Sequence, residues 1–110
     1  MDLDLALMRE TAPKVSALMK ILANENRLMI LCQLVECERS VGEMAIKLEM
    51  RQAALSQQLA LLRKDGLVKT RREAQTIYYS LARADLAALL GFLYETYCSA
   101  AAPPTSSTPG

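Results

Sequence analysis

The chain has no histidine. That removes the commonest metal ligand and the usual general base near neutral pH. No nucleophile stands with an orienting base, and the four glycines form no phosphate-cradling loop. These absences argue against an enzyme. Long apolar runs are missing too. Nothing approaches the roughly 18–20 residues that span a bilayer, so no membrane is expected. The start, Met1-Asp2-Leu3-Asp4, is acidic and lacks the basic opening of a signal peptide. A cytoplasmic protein is expected. Three cysteines in that compartment predict no permanent structural disulfide.

What remains is a helical chain of 110 residues, 52% hydrophobic and 23% charged, too apolar for disorder and short enough for one domain. So small a core is often supplemented by oligomerisation. Val15, Leu18, Met19 and Leu22 recur at helical spacing and predict a helix over about 3–23, starting or bending near Pro13. Asn24 suits the N-cap of a second helix over 25–36, with Leu28, Leu31 and Val35 inward. A last helix over 84–99 carries Leu86, Leu89, Leu90, Leu93, Tyr94 and Tyr97 at helical spacing. The first and last helices are more apolar than a monomer needs, which predicts a homodimer through them. Residues 100–110 are small, Pro, Ser and Thr, and predict a disordered tail behind a domain of residues 1–99.

The most informative stretch is Ser40 to Leu81. Ser40-Val41-Gly42-Glu43 is a capping-box pattern that opens a helix over 41–48. A turn near Glu49-Met50 leads to a helix over 52–65, with Leu55, Leu59 and Leu62 on one face and Gln52, Ser56, Gln57 and Gln58 largely on others. Asp65-Gly66 offers a left-handed C-cap. Alternating runs at 67–72 and 76–81 then predict a hairpin. Helix, turn, helix, hairpin is the order of a winged helix-turn-helix. Uncharged hydrogen-bonding side chains on the second helix suit base edges.

Charge follows the same division. Residues 51–83 hold seven cations (Arg51, Arg63, Lys64, Lys69, Arg71, Arg72, Arg83) against Asp65 and Glu73, a surplus of +5 in a chain of net charge +1. A solvated charged face would explain such a cluster. Its coincidence with the second helix and hairpin favours double-stranded DNA.

Leu22-Ala23-Asn24-Glu25-Asn26-Arg27-Leu28, Ser40 to Glu43, Ala54-Leu55-Ser56-Gln57-Gln58-Leu59, Leu62 to Val68 and Arg71 to Leu81 together resemble the ArsR/SmtB family of dimeric bacterial repressors, over about residues 15–98. The likeness is nearest to the HlyU, BigR and SqrR branch, which senses reactive sulfur or oxidants through two cysteines. It implies a mainly α fold of five helices and a two-stranded wing, a dimer through the outer helices, and an inverted-repeat operator. Carried onto this sequence, it places Gln52, Ala53, Ser56, Gln57 and Gln58 in the major groove. Gln can pair bidentately with adenine, and an Ala methyl can meet a thymine methyl. Ser40, Arg51, Lys64, Arg71, Arg72 and Gln75 become phosphate or minor-groove candidates. Arg51 replaces the branch's usual capping Ser, Ala53 a second Ser, and Gln58 a frequent His.

The resemblance also implies that Cys32 and Cys98 form a redox pair, with reactive sulfur species or oxidants as inducers and no cofactor. Read from the residues alone, both cysteines lie beside apolar stripes, where a buried thiol is an ordinary core residue. Cys37, between Glu36 and Glu38, reads as an exposed bystander whose acidic neighbours dull its reactivity. Two other readings stay open. One is a metal or metalloid sensor, which needs Cys32, Cys37 and Cys98 to converge. The metal motifs of relatives are absent here, since Ser40 to Ala45 holds no Cys and Asp85 and Glu95 alone make a poor soft-metal site. The other is a winged-helix module for protein partners.

Overall fold

The computed structural model describes residues 2–98. The elements run α1 (Leu5–Leu22), α2 (Glu25–Cys32), β1 (Arg39–Ser40), α3 (Val41–Leu48), α4 (Gln52–Lys64), β2 (Val68–Glu73), β3 (Thr76–Leu81) and α5 (Ala84–Tyr97). Five helices and an antiparallel hairpin match the expected winged helix-turn-helix. The expected disordered tail lies outside the described residues.

Three features differ from expectation. First, α1 fills the expected span as Leu5–Leu22 but does not start near Pro13. Asp4 caps it, accepting from the amides of Ala6 at 3.0 Å and Leu7 at 3.2 Å, and the helix continues through Pro13. Second, α2 ends at Cys32 instead of near residue 36. The amides of Leu34 and Val35 reach back only three residues, to the carbonyls of Leu31 and Cys32, so the last turn tightens before the chain leaves. Third, the hairpin gains a short third strand. Arg39 pairs with Tyr79 and Ser40 with Tyr78, giving the order β1-β3-β2.

One core unites these elements. Ile30, Leu31, Met44, Leu55, Leu59, Leu62, Leu67, Leu86 and Leu90 are fully buried, with Leu22, Leu34, Ala45 and Val68 nearly so. No described residue of this core is polar. The α4 stripe of Leu55, Leu59 and Leu62 is the helix's whole buried face. Burying each such side chain contributes roughly 1.5–3 kcal/mol. That stripe orients the opposite face of α4 outward.

The two terminal helices are different. Of α1, only Leu22 is buried, while Leu5, Leu7, Met8, Val15 and Met19 face solvent. On α5, Leu86 and Leu90 enter the core but Phe92, Tyr94 and Tyr97 are about 60% exposed (62%, 59% and 61%). The molecule is elongated, 50 × 34 × 20 Å.

Candidate nucleic-acid interface and thiol cavity

The helix-turn-helix is built by its caps. Ser40 Oγ accepts from the Glu43 amide at 3.2 Å, and Glu43 Oε1 accepts from the Ser40 amide at 3.0 Å. That reciprocal box fixes the start of α3 and holds the Glu43 carboxyl below its ordinary pKa, chiefly through the Ser40 amide. At the far end Glu49 adopts φ 53°, and the Met50 amide returns to the Ala45 carbonyl at 3.0 Å. This left-handed step turns the chain into α4. Arg51 provides no side-chain cap for α4, as its replacement of Ser predicted.

On α4, Gln52, Ala53, Ser56 and Gln57 are exposed together with Arg51 and Lys64. Gln52 reaches toward α3, where a Cβ on Gly42 would lie 3.9 Å from its Nε2. Gln58 differs from the other glutamines. It is half-buried, and its Oε1 is buried without a hydrogen-bond partner among the described residues. α4 closes at Gly66, φ 77°, as the Asp65-Gly66 pair predicted.

The wing is in simple register, with Lys69 opposite Ser80, Arg71 opposite Tyr78 and Arg72 opposite Ile77. Glu73 pairs with Thr76, leaving a two-residue tip of Ala74 and Gln75. Lys69, Arg72 and Gln75 are exposed. Arg71 is engaged within the protein. It forms ion pairs with Glu38 and with Glu73, the latter at 2.7 Å, and lies over the Tyr78 ring at 4.8 Å. Sequence reasoning missed Glu38 as a partner of the wing. It sits 33 positions from Arg71, and only the long-range pairing of β1 with β3 brings them together.

The structure also brings Cys32 and Cys98 to one place. Cys32 is the last residue of α2, and Cys98 directly follows α5, its amide donating to the Tyr94 carbonyl at 2.8 Å. Both are free thiols lining one cavity of about 620 Å³ between α2 and α5. Met29, Val35, Leu90 and Gly91 supply apolar walls, and Arg39 and Lys47 are also among the lining residues. Burial, and secondarily the neighbouring Cys98, push the Cys32 thiol above its ordinary pKa. Cys37 is exposed and lines a different groove of about 370 Å³ beside Lys69 and Arg83. The three thiols therefore share no single cavity. Among the described residues no group of three or more His, Cys, Asp or Glu side chains is placed to hold a metal ion. No described helix is long and apolar enough to cross a membrane.

Comparisons with known proteins agree with this geometry. Residues 24–70 match the model of the bacterial regulatory protein, arsR family. The transcriptional activator HlyU of Vibrio cholerae is 48% identical over 98 residues, covering 89% of this chain and 91% of that one. The biofilm growth-associated repressor of Agrobacterium fabrum is 46% identical over 98 residues, covering 89% and 84%. The solved structure of reduced HlyU from Vibrio cholerae N16961 superposes with a TM-score of 0.79 at 49% identity, covering 84% of this chain and 97% of that one. By these matches and by its fold, the chain belongs to the ArsR family and is a DNA-binding transcriptional regulator, not an enzyme.

Proposed function

We propose that this regulator acts as a cytoplasmic homodimer on an inverted-repeat operator, and that bridging of Cys32 to Cys98 controls its hold on DNA. The observation that carries the thiol control is that these two cysteines, 66 positions apart in sequence, line the same cavity while Cys37 does not. The exposed apolar faces of α1 and α5 support the dimer. A two-fold pair sets its recognition helices about one DNA turn apart, roughly 34 Å. Gln52, Ala53, Ser56 and Gln57 then read bases, with Gln58 turned partly inward. Ser40, Arg51, Lys64, Arg72 and Gln75 follow the backbone.

The inducer is a reactive sulfur species or another oxidant. With an organic persulfide, one cysteine thiol takes the outer sulfur and releases the organic thiol, leaving a cysteine persulfide. The second cysteine thiol attacks the inner sulfur of that persulfide. A disulfide forms and hydrogen sulfide leaves, so the transferred sulfur is the species reduced. A disulfide holds its Cα atoms within about 4.4–6.8 Å. That constraint ties α2 to α5, the helix expected to join the protomers, and shifts one recognition helix relative to its mate. A coupling of about 1–3 kcal/mol changes DNA affinity roughly 5- to 150-fold.

The test pairs mass spectrometry with DNA binding. After treatment with an organic persulfide or with peroxide, peptide mapping should link Cys32 to Cys98, and operator affinity should fall in the wild type but not in Cys32→Ser or Cys98→Ser. A Cys32→Ser dimer that still releases its operator on treatment would sink the thiol mechanism. DNA binding that is indifferent to salt and to inverted repeats would sink the operator reading.

A further inference from the structure

Arg71 is the wing's most heavily engaged cation. Its Nε donates to both Glu38 oxygens, at 3.1 and 3.0 Å, and its Nη2 donates to Glu38 Oε1 as well. Its Nη1 donates to Glu73 Oε2 at 2.7 Å. One face of the guanidinium is stacked on Tyr78. Nε, one Nη1 and one Nη2 N–H group are therefore committed, out of the five N–H donors an arginine carries.

The position of this cluster matters more than its strength. Arg71 on β2 stands opposite Tyr78 on β3, and Tyr78 stands opposite Ser40 on β1. Glu38 immediately precedes β1. The Glu38–Arg71 contact thus reaches across β3, joining the residue before β1 to the row Arg71–Tyr78–Ser40. A two-stranded hairpin is only marginally fixed by itself, and β1 supplies just two paired residues. Ser40, the end of that row, is also the N-cap of α3. The cluster ties the wing to the strand that opens the helix-turn-helix. An isolated exposed ion pair contributes little to global stability. A two-pronged pair that joins β2 to the segment leading into β1 sets orientation instead.

We infer that Glu38 is a positioning residue for DNA binding, holding the wing at its working angle through Arg71, and that Arg71 serves the wing in this way without touching a phosphate. Lys69 and Arg72 lie beside Arg71 and are free to meet the backbone of the duplex.

The two roles of Arg71 predict opposite results. Simple electrostatics says that removing a carboxylate beside a DNA-binding face strengthens binding. The positioning role says that Glu38→Gln weakens it. The experiment measures affinity of the full-length protein by fluorescence anisotropy across a salt series. The duplex is one that this protein selects from random sequence, and thermal melting checks that each variant is folded. Glu38→Gln should lose roughly three- to tenfold in affinity, the low end of coupling between neighbouring residues. Arg71→Gln should lose a similar factor with the salt slope unchanged. Arg71→Lys, which keeps the charge and loses the fork, should fare no better than Arg71→Gln. The double variant should be no worse than the poorer single one. A gain or no change on Glu38→Gln would overturn the inference. So would a fall of about 1.8 in the salt slope on Arg71→Gln, the signature of one lost phosphate contact in each protomer of the dimer, or full affinity in Arg71→Lys.

Discussion

The Ser40 hydroxyl oxygen lies 3.2 Å from the Glu43 amide, while Glu43 Oε1 lies 3.0 Å from the Ser40 amide. Each residue satisfies a backbone donor that the start of α3 leaves without a helical partner. Ser40 is also a candidate phosphate contact, so its two roles need separating. Ser40→Ala removes the hydroxyl acceptor, and the expected cost is about 1 kcal/mol of folding stability. For a domain of this size that lowers Tm by roughly 4–8 °C per kcal/mol. Ser40→Asp should keep the cap and its melting temperature but repel DNA. Calorimetry and anisotropy on the two variants distinguish the roles. The Glu43 carboxyl titrates below its ordinary 4.5. Its contribution is therefore present above that value and disappears as pH falls through the lower folded value. The stability gap between wild type and Glu43→Gln should close under acid.

The wing tip carries removable strain. Ala74 stands at φ 55° in a two-residue connection between Glu73 and Thr76. Tight hairpin turns with positive φ favour Gly or Asn, since a Cβ there crowds the backbone. Ala74→Gly should stabilise the protein by about 0.5–1 kcal/mol, the balance between relieved crowding and the greater freedom of glycine when unfolded. Chemical denaturation with an unchanged m-value would show it. A lower midpoint would mean that the turn is not strained.

The same tip shows where the sequence falls silent. Without Gly or Asn at 74–75, nothing in the residues fixes the hairpin's register, and the pairing of Arg71 with Tyr78 follows only from the folded strands. The end of α2 was equally hidden. Leu31, Leu34 and Val35 fit a continued helix and a tightening last turn alike, because both place these side chains on the core. β1 is two residues long and polar, so it has no pattern of its own; it exists because β3 is there to pair with. By contrast α4 was readable. Leu55, Leu59 and Leu62 have helical spacing, all three are fully buried, and the exposure of Gln52, Ser56 and Gln57 follows from that. Gln58 sits at the edge of the stripe, where spacing alone does not decide which way the side chain turns.

Phe92 on α5 is 62% exposed, more than Tyr94 or Tyr97 on the same helix. If the proposed dimer covers this face, Phe92→Asp buries an unpaired carboxylate at the interface, a severe penalty. The variant should sediment as a monomer at micromolar concentration and bind an inverted repeat at least tenfold more weakly, because one half-site then binds without its mate. The monomer core contains Leu86 and Leu90 but not Phe92, so the fold should persist by circular dichroism. A Phe92→Asp protein that remains dimeric with full affinity would place the interface elsewhere.

Cys32 should react slowly at neutral pH. Burial first, and Cys98 second, hold its thiol above the ordinary 9.0. The nucleophile is the thiolate, so the raised pKa keeps the reactive form of Cys32 scarcer at neutral pH than that of an ordinary thiol. Its alkylation by iodoacetamide, followed by peptide mass spectrometry, should go on speeding up beyond the pH at which an ordinary thiol reaches its plateau. Cys98→Ser removes the smaller cause, so the midpoint should move down but stay above that of an ordinary thiol, because burial remains. A raised folded value favours the protonated fold, so any contribution from Cys32 is complete below the unfolded thiol's pKa and is lost as pH climbs through the folded one. In the proposed bridging reaction the more exposed Cys98 is then expected to meet the sulfur donor first, with Cys32 closing the bridge. A Cys32 midpoint at or below that of an ordinary thiol would reverse that order.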